Sequence, residues 1–336
     1  VSEKKHFFPK KNIFSRKKTF LFRKNTFFSG NPPTCDPTLA GRFLCDAIGK
    51  RLTSSLGYTL LYDDRDNRIR PTRGQSFGIS QDFAGVGGSV KYIKTRINAD
   101  KYWKPFGNFV FGLSFESGYI HPLENRGLAG IDDVRLTDRF YLGEPQMRGF
   151  DIRGVGPRVQ RIFQEGKIVN GVAVNNPITD RNQIQDDAIG GRFYYMGRAE
   201  LQIPLGSGAK ELGLRPSLFV DVGSVFDVTR PVLQSVQQRE VLADGTQGGL
   251  LYYFVDSAGA LQTSTTAVNG DGSARVAAFR FKEEFLGDTW KPRLSVGFGV
   301  NWNSPFGPFR IDIARALLKQ PGDDTKLFTF NVGTQF

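Results

Sequence analysis

The sequence has little of what most chemistry needs. Among 336 residues there are two Cys, two Met and two His. His6 and His121 stand in unrelated contexts, so a His-based catalytic pair or a His/Cys metal set has nothing to build on. No HExxH helix or P-loop occurs, and the one GxSxG match, GQSFG at 74–78, opens an alternating run rather than a strand-to-helix elbow. The GVGGS segment at 85–89 reads as a hairpin loop rather than a phosphate cradle. The chain is therefore not expected to be an enzyme or to carry a cofactor or metal. It also lacks long hydrophobic runs: nothing approaches about 18 consecutive apolar residues, which excludes a helical membrane span. A transmembrane barrel is not excluded, because its strands alternate apolar and polar residues and look unremarkable on average.

Acidic charge is in short supply, with a net charge of +12, but the excess is local. Residues 1–30 hold nine Lys/Arg against one Glu, so this tail carries +8 and all later residues together +4. A basic field spread over the whole molecule is absent, and nucleic acid is not an expected partner. The tail mixes its charges with seven Phe but has neither an apolar core nor a small-residue cleavage site, so it is a poor signal peptide. It is expected to be disordered or aberrant, with little contact to the rest; an interfacial or nucleic-acid-binding arm is the alternative. Residues 31–52 form a polar segment holding Cys35 and Cys45. Their spacing fits no zinc pattern. A short-loop disulfide is expected if the segment faces an oxidising compartment, and two free thiols otherwise.

What is abundant is Phe (30) and Gly (39), arranged with a period of two from residue 53 to 336. Thr53–Tyr62, Ser76–Phe83, Val90–Tyr102, Asn108–Ile120, Arg192–Ile203, Leu214–Phe226, Arg293–Asn303, Pro308–Leu317 and Lys326–Phe336 alternate apolar with small or polar residues. These nine expected strands are each long enough to cross a hydrocarbon layer at a tilt. In Leu214–Phe226, Leu218, Val220 and Val222 fall on one face, with Phe219, Asp221 and Gly223 on the other. Short turns alternate with long connections at 121–190 and 229–291. A water-soluble sandwich does not need this asymmetry; an outer-membrane barrel has it. Trp103, Trp290 and Trp302 at strand ends agree with an interfacial belt. The inward carboxylates Glu116, Glu200 and Asp221 invite a paired-acid reading, but charges are common in barrel lumens.

Residues 140–158, FYLGEPQMRGFDIRGVGPR, resemble the motif loop of the BamA family of outer-membrane assembly factors, the bacterial surface-antigen barrels. In that family an apolar-Arg-Gly-aromatic tetrad folds back into the lumen. Met147, Arg148, Gly149 and Phe150 stand at its four positions, with Arg153-Gly154 as a competing pair. LYDDRDNRIRPTRG, SPFGPFRIDIA and FTFNVGTQF are also similar to the family, from about Cys35 to Phe336. Phe328, Phe330, Val332 and Phe336 look like a C-terminal barrel signal. The resemblance implies an all-β antiparallel transmembrane barrel in a bacterial outer membrane, with these nine strands the last of sixteen and Cys35 and Cys45 in an extracellular loop. It also implies that Arg148 is held by Glu200 and Asp221. The implied function is folding and inserting β-barrel proteins. Unfolded clients, outer-membrane lipids with lipopolysaccharide, and accessory lipoproteins would be the partners. A polypeptide-translocating barrel of the two-partner secretion or TamA type, or a passive porin, are the alternatives.

Overall fold

The computed structural model describes residues 13–25, 43, 51–127, 129–206, 213–304 and 307–332. Ten antiparallel strands form the barrel wall: β1 (Ile13–Asn25), β2 (Arg51–Asp63), β3 (Gly74–Ala84), β4 (Tyr92–Trp103), β5 (Val110–Pro122), β6 (Phe193–Gln202), β7 (Leu214–Phe226), β8 (Arg293–Ser304), β9 (Gly307–Leu318) and β10 (Phe328–Val332). Their order in the sheet is their order in the chain, so every neighbour is a sequential antiparallel partner. Apart from Phe43, which is helical, the described residues hold one helix, the 3-10 turn Arg181–Gln183.

The wall is inside out relative to a soluble protein. Leu60, Phe77, Phe115, Leu218, Val220, Phe298, Ile311, Ile313, Phe328 and Phe330 are exposed on its outer face. Ser76, Ser217, Asp221, Ser295, Arg310, Asp312 and Thr329 are buried on the other. Successive side chains of a strand point to opposite faces, so the alternation along the sequence places apolar groups outward and polar groups inward. A lipid environment accepts that outer face, and pairing between successive strands satisfies the backbone there.

One expectation differs. The composition of the tail predicts no regular structure, yet Ile13–Asn25 run as a strand paired with β2 from Ile13↔Tyr62 to Asn25↔Arg51. The wall therefore has ten strands rather than nine. The physical reason is the edge: without β1, the outer hydrogen-bonding row of β2 would be unpaired, and an unpaired row recruits any extended neighbour. A register shift between Arg16 and Thr19 marks where the pairing is irregular. Cys35, Cys45 and Phe336 lie outside the described residues.

The two long connections are not plain loops. Arg158–Val169 turns through Asn170 (φ 52°) and Gly171 (φ 77°) into Val172–Pro177. An Asn-Gly pair supplies the two positive φ angles that such a tight hairpin requires. Arg158–Val169 also pairs with Gln185–Ala188 and, across the other long connection, with Phe279–Leu286. The two excursions thus share one sheet on the side of the wall opposite its short turns.

One of those short turns, 64–73, is built around Asp66. Its carboxylate accepts the backbone N–H groups of Asn67, Thr72 and Arg73 at 2.9, 2.8 and 3.1 Å and the Thr72 hydroxyl at 2.5 Å. These donors, the Thr72 hydroxyl foremost, hold its carboxyl down at about 2. Because the folded value is depressed, the stabilisation is complete above the ordinary value of 3.8 and is lost as pH falls through about 2. Asp66→Ala should cost about 1 kcal/mol at neutral pH. Urea midpoints of mutant and parent should converge as pH drops from 4 toward 2. A gap that stays constant down to pH 2 would show that the charge contributes nothing.

Candidate functional site

The site is assembled where the segment 134–156 folds back inside the wall. Leu142 and Val155 bridge to each other, Phe140 bridges to Gly191, and Phe150 bridges to Thr325. Val134, Leu142, Met147, Phe150 and Val155 pack with Ile120 and Val225 of the wall, all nearly inaccessible. This apolar cluster anchors the loop. The Met147 amide donates to the Gly143 carbonyl at 2.8 Å, and the tight turn so formed presents Arg148 to the inner face of β7.

Arg148 is 2% exposed and lies against three wall strands. Its Nε donates to Asp221 Oδ2 and its Nη2 to Asp221 Oδ1, both at 2.7 Å, the two-pronged arrangement a planar guanidinium favours. Asp221 Oδ2 also accepts the Arg148 backbone N–H at 3.2 Å. Nη1 donates to Glu200 Oε2 at 3.1 Å. The guanidinium carbon sits 3.3 Å from the centroid of the Phe219 ring, on the same inward face as Asp221. The Arg148 carbonyl accepts the Ser295 hydroxyl of β8. The structure thus brings together the three residues that the resemblance pairs, Arg148, Glu200 and Asp221.

Gly149 is a place that favours glycine. Its φ is +84°, and a Cβ there would stand 3.0 Å from the Ser295 Cβ and 3.3 Å from the Ala314 Cβ. The backbone conformation would strain any other residue, and a side chain would have to push Ser295 of β8 and Ala314 of β9 aside. Phe150, with no exposed surface, fills the space beyond. Arg153 does not compete for the lumen. It is exposed, its guanidinium lies 4.6 Å from the Tyr141 ring centroid, and its carbonyl accepts from Arg158 at 2.6 Å.

Three further members of the cluster were missed in the sequence. Arg198 of β6 donates to Asp221 Oδ1 at 3.1 Å and to the Gln146 carbonyl at 2.5 Å. Arg310 of β9 pairs with Asp312 at 2.8 Å and reaches Glu200 at 3.5 Å. Asp312 stands 3.9 Å from Arg148. Arg148, Arg198 and Arg310 therefore face Asp221, Glu200 and Asp312, charge for charge. The same parity that points Glu200 and Asp221 inward points Arg310 and Asp312 inward, so the signal was present in FRIDIA.

A second clamp holds the connection 319–327, between β9 and β10, to the same loop. The side chains of Arg293 and Asp323, both fully buried, pair through two contacts of 3.0 and 3.2 Å. Asp324 accepts the Asp151 amide at 3.0 Å and donates its own to the Gly154 carbonyl at 2.8 Å, while Lys326 donates its amide to the Gly149 carbonyl at 3.2 Å. The Lys326 ammonium reaches Glu144 at 2.8 Å, and Arg181 pairs with Asp324. Among the described residues no group of three or more His, Cys, Asp or Glu is placed to hold a metal. Phe328, Phe330 and Val332 project from the outer face of β10 and are exposed.

Comparison with known proteins agrees with this geometry. Residues 16–336 match the Omp85 superfamily domain. The outer membrane protein assembly factor BamA of Neorickettsia risticii is 27% identical over 293 residues, 86% of this chain and 28% of that protein. The human sorting and assembly machinery component 50 homolog is 28% identical over 186 residues, 54% of this chain and 33% of that protein. The chain thus spans about a third or less of the length of these relatives. The crystal structure of BamA from Haemophilus ducreyi lacking POTRA domains 1–3 superposes with a TM-score of 0.52 at 20% identity, covering 84% of this chain and 42% of that one.

Proposed function

Because the chain belongs to the Omp85 superfamily, we propose that it is the barrel portion of a factor that folds β-barrel proteins and inserts them into a bacterial outer membrane. The observation that carries this reading is the loop 134–156 folded into the lumen and locked there by Arg148 on Asp221 and Glu200. A passive pore needs a clear channel, and a translocating pore needs a path for a polypeptide. A charge-neutral plug tied to three strands serves neither. It does serve a wall whose work is done at its edge.

The chemistry is non-covalent. Among the described residues β10 pairs with β9 and with no other strand of the wall. A row of backbone donors and acceptors at such an edge can template an incoming strand by β-augmentation. The locked loop would keep β6, β7 and β8 in fixed relation while the edge exchanges partners. Clients are unfolded barrel proteins; outer-membrane lipids, lipopolysaccharide and accessory lipoproteins are the remaining partners of this reading.

The test uses the full-length parent in proteoliposomes with a urea-denatured eight-stranded client. Replacing residues 146–151 by a Gly/Ser linker should abolish most client insertion while leaving the wall folded. Unchanged insertion, together with a new ion conductance, would assign the loop to pore closure and reject the assembly reading.

A further inference from the structure

The outer face of the wall holds a second feature that the lumen cluster does not involve. Across β3 to β7, one row of directly opposed residues runs Phe77, Ala99, Phe115, Gly197 and Val222. The row two residues nearer the short turns runs Gln75, Lys101, Leu113, Ala199 and Val220. Large side chains alternate with Ala or Gly, and where Ala99, Gly197 and Ala199 stand the surface is set back by the depth of a side chain. The result is an open, mainly apolar groove of about 650 Å³, within the usual range of small-ligand sites. Its end toward the short turns is polar: Lys101 and Gln75 are exposed cross-strand partners on the outer face. Trp103, two residues further along β4, stands with its ring centroid 5.9 Å from the Lys101 ammonium.

We propose that this groove binds an anionic phospholipid, with the phosphate on Lys101 and Gln75 and one acyl chain over Ala99. The inference rests on the membrane-spanning reading of the wall. The order of groups along the strand is the order of groups in the ligand. A cation with a neighbouring amide and an aromatic lies at the interface, and an apolar trough begins two residues, about 7 Å, further in. Lysine at a membrane surface favours an anionic headgroup by about fivefold per residue. From β3 to β7 neither row contains a carboxylate; the nearest, Asp64, whose amide donates to the Gln75 carbonyl, flanks Gln75 on the side away from Lys101. The occupant is therefore a lipid of the leaflet on the short-turn side.

The full chain, folded into detergent micelles, is equilibrated with phosphatidylglycerol or phosphatidylcholine of identical acyl chains, and retained lipid is counted by native mass spectrometry. One phosphatidylglycerol should be retained at about fivefold lower concentration than phosphatidylcholine. Lys101→Gln should equalise the two, and Ala99→Phe should weaken both. Ile311→Phe, on the outer face of β9, should change neither. Equal retention of both lipids by the parent chain would overturn the headgroup assignment. Retention insensitive to Ala99→Phe would overturn the groove, and a dimer in place of the lipid complex would assign the face to a second copy. Heat-modifiable migration of each variant reports folding separately. If Lys101→Gln does not fold, Lys101→Met serves in its place. A parent chain that never shows that migration in lipid would refute the membrane-spanning reading itself.

Discussion

Arg148→Glu should yield a wall that still forms but holds the 134–156 loop loosely, with the largest stability loss of any single lumen substitution. Arg148 closes a ring of contacts in which Asp221, Glu200 and Asp312 each lie within 4 Å of its guanidinium. Arg148→Ala leaves Asp221, which has no exposed surface, with Arg198 as its one ionic partner among the described residues. Breaking a buried pair by removing one member costs about 3–5 kcal/mol, because the charge left behind is unpaired. Glu200 retains some solvent access, which places Arg148→Ala toward the lower end. Arg148→Glu adds a fourth carboxylate to a cluster left with two arginines and should exceed that range. A urea titration of the folded fraction, read by heat-modifiable migration, measures the difference. Protease cleavage between residues 143 and 154 should appear in both variants. A midpoint for Arg148→Ala equal to that of the parent chain would show that the apolar anchor alone holds the loop. A charge swap at Glu200 should not rescue Arg148→Glu. Asp221, not Glu200, makes the two-pronged contact, and an arginine at 200 would meet Arg310.

The wall was legible because its pattern is local. Alternation along Leu214–Phe226 assigns Leu218 and Val220 to one face and Phe219 and Asp221 to the other, and nothing about a neighbour is needed to see it. The pairing of Arg148 with Asp221 and Glu200, by contrast, joins residues 73 and 52 positions apart. It came through a resemblance in the tetrad rather than through any period. Arg310 and Asp312 lay within reach of the parity argument, yet they become partners of the loop only once β9 is placed two strands from β7. The β1 strand was hidden because its pairing is a property of the β2 edge, not of its own Lys- and Phe-rich composition. The shared sheet of the two long connections was hidden for the same reason. Its Asn170-Gly171 turn is a local signal, but the pairing of Phe281 with Phe163 spans more than a hundred residues.

Arg293→Ala should release the connection 319–327 without disturbing the Arg148 cluster. Arg293 has no exposed surface and spends its donors on groups from three separate segments. Nε and Nη2 hold Asp323 at 3.0 and 3.2 Å, Nη1 reaches Ser224 Oγ at 2.8 Å and the Thr289 carbonyl at 2.9 Å, and Nη2 reaches the Gly287 carbonyl at 2.9 Å. One side chain therefore fastens the segment after Leu286, the base of β7 and the connection before β10. Its removal strands a buried Asp323 and should cost about 3–5 kcal/mol. Arg293→Lys restores the charge but not the fork, and should recover only part of the loss. The connection touches the motif loop through backbone: Asp151 to Asp324, Asp324 to Gly154, Lys326 to Gly149. Hydrogen exchange reads those bonds directly. In Arg293→Ala the amides of Asp151, Asp324 and Lys326 should exchange faster, while that of Arg148, donated to Asp221, keeps its protection. If all four amides stay as protected as in the parent chain, the backbone bridges suffice and the buried pair is not what holds β10 to the loop. If Arg148 loses protection together with the other three, the two clamps act as one cooperative unit. A displaced last strand would then reach the lumen loop through Asp323 and Arg293, a coupling that the separate geometry of the two clusters argues against.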